Sequence, residues 1–343
     1  MESLKPLNVR VALIASMALL AAAMPPRSKA ALTGNLPLKT VADVPLPGNP
    51  TRWDYESLDP DRHLLFLTHL GDSAVVVFDT QSGKVIASIP DISHVHGVLV
   101  VPQLHRVYAS ATGTNQLVAI DESTLKVIAR APAGVYPDGI AYAPSVNKLF
   151  VSDETGATDT VIDAATNQRI ATIPLDGEVG NTQYDLVSKH IFANVQTRNE
   201  LVEIDPVSNK LIARHPLSGA QGNHGLLIDP ADRLAFIACE GNDKLLVLDM
   251  RTMRVVAAFR VGNDPDVLAW DDRLDVLYVA SESGVVSLFE VKGRAVNKLG
   301  EGRLGPDAHT VAVDAHTHRA YFPLKSLHGK PVLRITQPRA GAE

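Results

Sequence analysis

The chain has 343 residues, 45% of them hydrophobic and 20% charged, with a formal net charge of −6 and one cysteine. Nucleic acid is not an expected partner of so acidic a chain, because nucleic-acid binding needs a basic track with aromatic platforms, and here His and Arg are scattered. A single cysteine excludes an intramolecular disulfide, so packing alone must hold the mature protein together.

In chain order, Met1 to Ala30 stands apart. Lys5 and Arg10 precede the apolar run Val11–Met24, and Ser28-Lys29-Ala30 offers a small-x-small cleavage site, the pattern of a secretory signal peptide. The alternative is a retained membrane anchor, although the run is short for a span. The expected location is the periplasm or outside the cell, with no transmembrane segment after cleavage. Residues 31–38 read as a linker.

From residue 39 to 336 one phrase recurs. Its clearest copy runs His224-Gly225-Leu226-Leu227-Ile228-Asp229-Pro230, then Arg233 to Phe236, Leu245 to Asp249 and Arg254 to Phe259. Aligned on paired aromatic or apolar positions, each copy has one register residue: Asp54, His96, Asp138, Asn181, His224, Asp266 and His309, spaced 42 or 43 residues apart. A period of about 40–45 residues with four short strands per unit is the signature of a β-propeller. The last unit has material for three strands only. Lys39–Pro45 resembles Lys84–Pro90, the fourth strand of a complete unit, so the N-terminal segment is expected to close the ring. The predicted fold is all-β: one seven-bladed propeller with four antiparallel strands per blade, over 39–336, followed by a tail at 337–343. Third strands end in acids (Asp79, Asp121, Asp163, Asp205, Asp249, Glu290), which are expected to accept amide hydrogens of their own turns.

The phrases Val107-Tyr108-Ala109-Ser110, Leu149-Phe150-Val151-Ser152 and Leu277-Tyr278-Val279-Ala280, with the D-x-x-T/S-x-K/R-V-I/V-A runs at 121–129 and 249–257, resemble the bacterial surface and periplasmic propellers built from YVTN-type repeats. The resemblance implies the seven-bladed fold. It supplies no catalytic motif.

In a propeller the register residues should ring one mouth of the central channel, and here all seven are polar. His96, His224 and His309 sit at equivalent positions, so their imidazoles are candidate ligands for a single divalent transition metal (Zn, Fe, Cu or Ni) with a coordination position left for water or substrate. Asp54, Asp138 and Asp266 are candidate bases, and Arg52 a candidate partner for developing negative charge. Trp53, Tyr55, His69, Asn181, Arg198 and Glu240 are placed near the rim as ligand contacts. The competing reading of the ring is blade-to-blade hydrogen bonding. Cys239 reads as a small buried residue. Two functions follow for what is expected to be a monomer: a small-molecule or metal site at the channel mouth supporting hydrolase or lyase chemistry, or a scaffold docking an envelope protein or peptide.

Overall fold

The pattern of burial along each repeat explains the architecture. Inner strands are apolar on both faces, as in Leu65–Leu67 and Val75–Phe78, which are at most 1% exposed. Fourth strands such as Lys84–Ile89 alternate exposed and covered residues, as an outer strand facing solvent must. In the computed structural model, which describes residues 35–339, these strands form seven separate four-stranded antiparallel sheets. The expected signal segment lies outside the described residues. Among the described residues no helix is long and apolar enough to cross a membrane.

Blades one to six are consecutive meanders. The seventh is built from Ala312–Asp314, Arg319–Leu327 and Lys330–Pro338, with Leu38–Pro45 as its outermost strand. The N-terminal strand therefore closes the ring, as the sequence implied. Its register runs from Leu38 opposite Pro338 to Pro45 opposite Val332. Arg334 clamps it with two bonds to Asp43, at 2.8 and 2.7 Å. The seam then seals hydrophobically: Tyr321, Leu333 and Ile335 of blade seven pack with Trp53, Leu65 and Phe78 of blade one. This closure leaves neither end of the ring with an open face.

The turn acids behave as expected in five of six blades. Asp79 Oδ1, for instance, accepts the Gln81 and Ser82 amides at 2.8 and 3.0 Å. Glu290 departs from the pattern, pairing with Lys292 at 2.6 Å. Its strand runs on to Lys292, with Glu290 paired opposite Asn297, so the acid lies within the ladder and not at the turn.

Candidate binding site at the channel mouth

The inner strands deliver the register residues to one end of the channel, with one correction. In blade two Val95 pairs with Ala111 and Val98 with Ala109; in blade four Val179 pairs with Val195 and Thr182 with Ala193. The residue equivalent to His96 is therefore Gly180, and Asn181 occupies the next position, where other blades carry Gly97, Gly139 and Gly225. A side chain at Gly97 or Gly225 would strike the carbonyl of Asp138 or Asp266 in the next blade. Tyr55 holds the corresponding place in blade one. Its amide reaches the His96 carbonyl at 3.4 Å, and its phenol extends across the channel.

With Gly180 in place, the ring reads Asp54, His96, Asp138, Gly180, His224, Asp266, His309. Acid and imidazole alternate, with a single gap. Each histidine consequently meets aspartates of neighbouring blades. His309 Nε2 lies 3.3 Å from Asp54 and 4.0 Å from Asp266. His96 Nε2 lies 3.8 Å from Asp54. His224 Nε2 lies 3.5 Å from Asp266 and, across the gap, 3.6 Å from Asp138. The Tyr55 hydroxyl sits 3.0 Å from His224 Nε2 and receives the Asn181 amide at 2.9 Å. Arg52 reaches in from the rim, bonding Asp54 at 3.0 Å and Glu282 at 2.5 Å.

Above this ring is a cup of about 560 Å³, lined by Arg52, Asp54, Tyr55, His94, His96, Tyr136, Asp138, Glu154, His224, Glu240 and Asp266 among others. Five of these are carboxyl groups and one is a guanidinium, so the cup is acidic. Its titrations follow from that imbalance. Burial opposes ionisation of Asp54, but the His309 hydrogen bond and the charges of His96 and Arg52 prevail and hold it well below the usual carboxylate range. Burial raises Asp138 to about 7 against the pull of His224 and His96. Burial likewise raises Glu240 to about 7. For His224 burial works downward, yet Glu240, Asp266 and Asp138 together raise it to about 9.

Not every polar atom is satisfied. Asp54 Oδ2, Asp266 Oδ1 and His224 Nδ1 are buried without a hydrogen-bond partner. Among the described residues, ligand-type atoms gather within 4.8 Å as Asp54–Asp266–His309, His224–Glu240–Asp266 and Glu282–Asp307–His309. Each group has one imidazole, since alternation sets each histidine beside an acid.

The structure brings together Arg52, Asp54, Tyr55, His96, Asp138, Asn181, His224, Glu240, Asp266 and His309. It sets three other sequence-predicted residues apart from the cup. Trp53 is buried and stacked on His69, with ring centroids 3.9 Å apart, and His69 Nε2 meets Thr51 at 2.9 Å. Arg198 pairs with Glu200 at 3.1 Å. Tyr136, which the sequence reading missed, joins the cup with its hydroxyl 3.1 Å from His96 Nε2. Two places before the register residue, His94, Tyr136, Asp264 and Asp307 all adopt positive φ, between 44° and 61°. At His94 and Tyr136 that left-handed turn brings the side chain to the cup. Cys239 is fully buried among apolar residues of blade five, and burial pushes its thiol up to about 12.

No protein-family model matches the chain, and no curated protein matches it. Solved propellers do. A chain of Kuenenia stuttgartiensis hydrazine synthase aligns with TM-score 0.73 at 14% identity, over 87% of this chain and 97% of that one. The U3-55K structure aligns with TM-score 0.72 at 11% identity, over 85% and 98%. The RRP9 WD40 repeats align with TM-score 0.74 at 11% identity, over 88% and 100%. At these identities the likeness extends to the propeller fold.

Proposed function

We propose that the channel mouth is a small-molecule site that uses one divalent transition metal, held by His224, Glu240 and Asp266, in a protein of the periplasm or cell surface. The observation that carries this reading is the pair of unsatisfied buried atoms, His224 Nδ1 and Asp266 Oδ1, in an acidic cup, with Glu240 Oε1 3.8 Å from His224 Nδ1. A buried polar atom left without a partner is costly, and a cation would satisfy all three side chains at once. The signal-like N-terminus and the YVTN-type phrases support the envelope setting.

One imidazole with two carboxylates suits Zn or Fe better than Cu or Ni. Such an ion supplies a polarised carbonyl or a bound water of lowered pKa. The side chains around it divide the remaining tasks. Asp138, poised at about 7, is the group best tuned to take a proton near neutrality. Asp54 is held ionised by Arg52 and two imidazoles, which suits it to positioning Arg52 rather than to proton transfer. The Tyr136 hydroxyl donates to His96 Nε2, whose Nδ1 in turn donates to the His94 carbonyl, which fixes both rings in the cup. Arg52, with its side chain 34% exposed, faces an anionic substrate group. This set fits hydrolysis or elimination.

Isothermal titration of chelator-treated, untagged protein with Zn²⁺ tests the assignment. Asp266→Asn and Glu240→Gln are expected to weaken binding ten-fold or more, whereas His96→Ala changes it less than about three-fold. Equal losses at His96, His224 and His309 would favour coordination by the three histidines instead.

A second reading, docking of an envelope protein or peptide, draws on Leu186 and Val187. These stand 65% and 57% exposed side by side in a turn of blade four, at the other end of its inner strand.

A further inference from the structure

In blades one to six the residue that follows the second strand is Leu70, Thr112, Glu154, Gln196, Glu240 or Glu282. Three of these are acids, and two have evident partners. Glu240 lies 3.8 Å from His224 Nδ1, and Glu282 accepts from Arg52 at 2.5 Å. Glu154 lines the cup without one: among the described residues no Lys, Arg or His forms an ion pair with it. Its charge reaches into the cup all the same. It adds to the burial that raises Asp138 and Glu240, and it helps the nearer acids raise His224 against burial.

Glu154 is also held in place. Its amide donates to the Tyr136 carbonyl at 2.8 Å, its carbonyl accepts the Val179 amide at 3.1 Å, and its Oε1 accepts the Gln196 side-chain amide at 3.3 Å. The first of these bonds sets the acid beside Tyr136, whose ring lines the cup while its hydroxyl is bound to His96 Nε2. A fixed carboxylate next to a fixed aromatic ring suits an ammonium group, which gains a charge-assisted hydrogen bond and the negative face of the ring. The opposite charge is elsewhere on the rim. Glu154 stands between blades three and four, whereas Arg52 of blade one is drawn toward blade six by Glu282. Bonds to Asp54 and Glu282 engage Arg52 Nε and one hydrogen on each terminal nitrogen, so each terminal nitrogen keeps a second hydrogen for a ligand.

We propose that the ligand of the cup is a small zwitterion, its ammonium on Glu154 against the Tyr136 ring and its carboxylate on Arg52. Other ligand classes fit less well. A plain anion would leave Glu154 unmatched in an acidic cup, and a plain cation would leave the open hydrogens of Arg52 unused. A metal ion at Glu154 would find one carboxylate with an amide donor beside it. A molecule carrying both charges meets both walls, and about 560 Å³ holds one of amino-acid or dipeptide size. This inference rests on reading the mouth as a small-molecule site; it does not need the metal.

Calorimetric titration of the full chain with δ-aminovalerate, valerate and n-pentylammonium, which share one carbon skeleton, tests it. Both chelator-treated and Zn²⁺-treated protein are titrated, so that a failure of metal binding leaves the comparison standing. Saturable binding of the zwitterion about ten-fold or more tighter than either singly charged probe is expected in both preparations. Glu154→Gln should lose about ten-fold or more for δ-aminovalerate, the worth of one charge-assisted bond, and change less than about three-fold for valerate. Absence of saturable zwitterion binding, equal affinity for a singly charged probe, or undiminished δ-aminovalerate affinity in Glu154→Gln would overturn the proposal. Should that variant fail to fold, the comparison of the three probes on the unaltered chain still decides.

Discussion

Replacing Glu122 by glutamine is expected to raise the thermal midpoint at pH 8 and leave it almost unchanged at pH 4. Glu122 is 1% exposed at the seam of blades one and two, where neither carboxylate oxygen has a hydrogen-bond partner. Burial and the nearby Asp59 carboxylate raise its pKa to about 7, and Arg62, 3.8 Å away with its side chain 36% exposed, offsets this only in part. The unfolded chain releases this proton near 4.5, whereas the folded chain keeps it to about 7. Between those values the folded state binds the extra proton, so stability falls as pH rises through the window, and the penalty is complete above it. At about 1.4 kcal/mol per pH unit the full shift amounts to roughly 3 kcal/mol; screening by Arg62 and nearby solvent reduces this to about 1–2 kcal/mol. Glutamine carries no such penalty, and its amide can donate toward Asp59. For a chain of this size the gain corresponds to a midpoint about 1.5–3 °C higher at pH 8. Calorimetric scans of both proteins from pH 4 to 8 would show the difference opening through this interval. A difference independent of pH, or a loss of stability at pH 8, would refute the reasoning.

Three further outcomes follow from the same contacts. Gly225→Ala should lower stability by about 2–4 kcal/mol in urea unfolding, because its Cβ meets the backbone carbonyl of Asp266 and backbone cannot step aside. Gly83→Ala, where a Cβ meets nothing but φ is 69°, should cost only about 1 kcal/mol. Cys239 should resist iodoacetamide in the native state at pH 8 and react fully in urea, given a buried thiol raised to about 12; rapid native labelling would contradict its burial.

The fold was legible because each blade repeats the same physical problem: two buried inner strands, an aspartate turn and an alternating outer strand. Closure could be read from a surplus strand at one end and a missing one at the other. The site was only partly legible. Choosing a polar register residue in every copy placed Asn181 on the ring, whereas the strand ladder, counted back from Phe192, puts Gly180 there. The run of Asp and His was visible, but sequence spacing does not say whether side chains meet across an axis or around it. Packing decided that His309 and His96 turn toward Asp54 between them.

The central claim is that the acidic cup holds a cation through His224, Glu240 and Asp266. Elemental analysis of untagged protein purified from its native compartment tests this most directly, with Asp266→Asn and His96→Ala prepared in parallel. The expected result is about one transition-metal ion per chain in the unaltered protein and in His96→Ala, and none in a folded Asp266→Asn. No metal in the unaltered protein would contradict the account and return the ring to blade-to-blade hydrogen bonding alone; metal retained in Asp266→Asn would contradict it by placing the ion on other ligands.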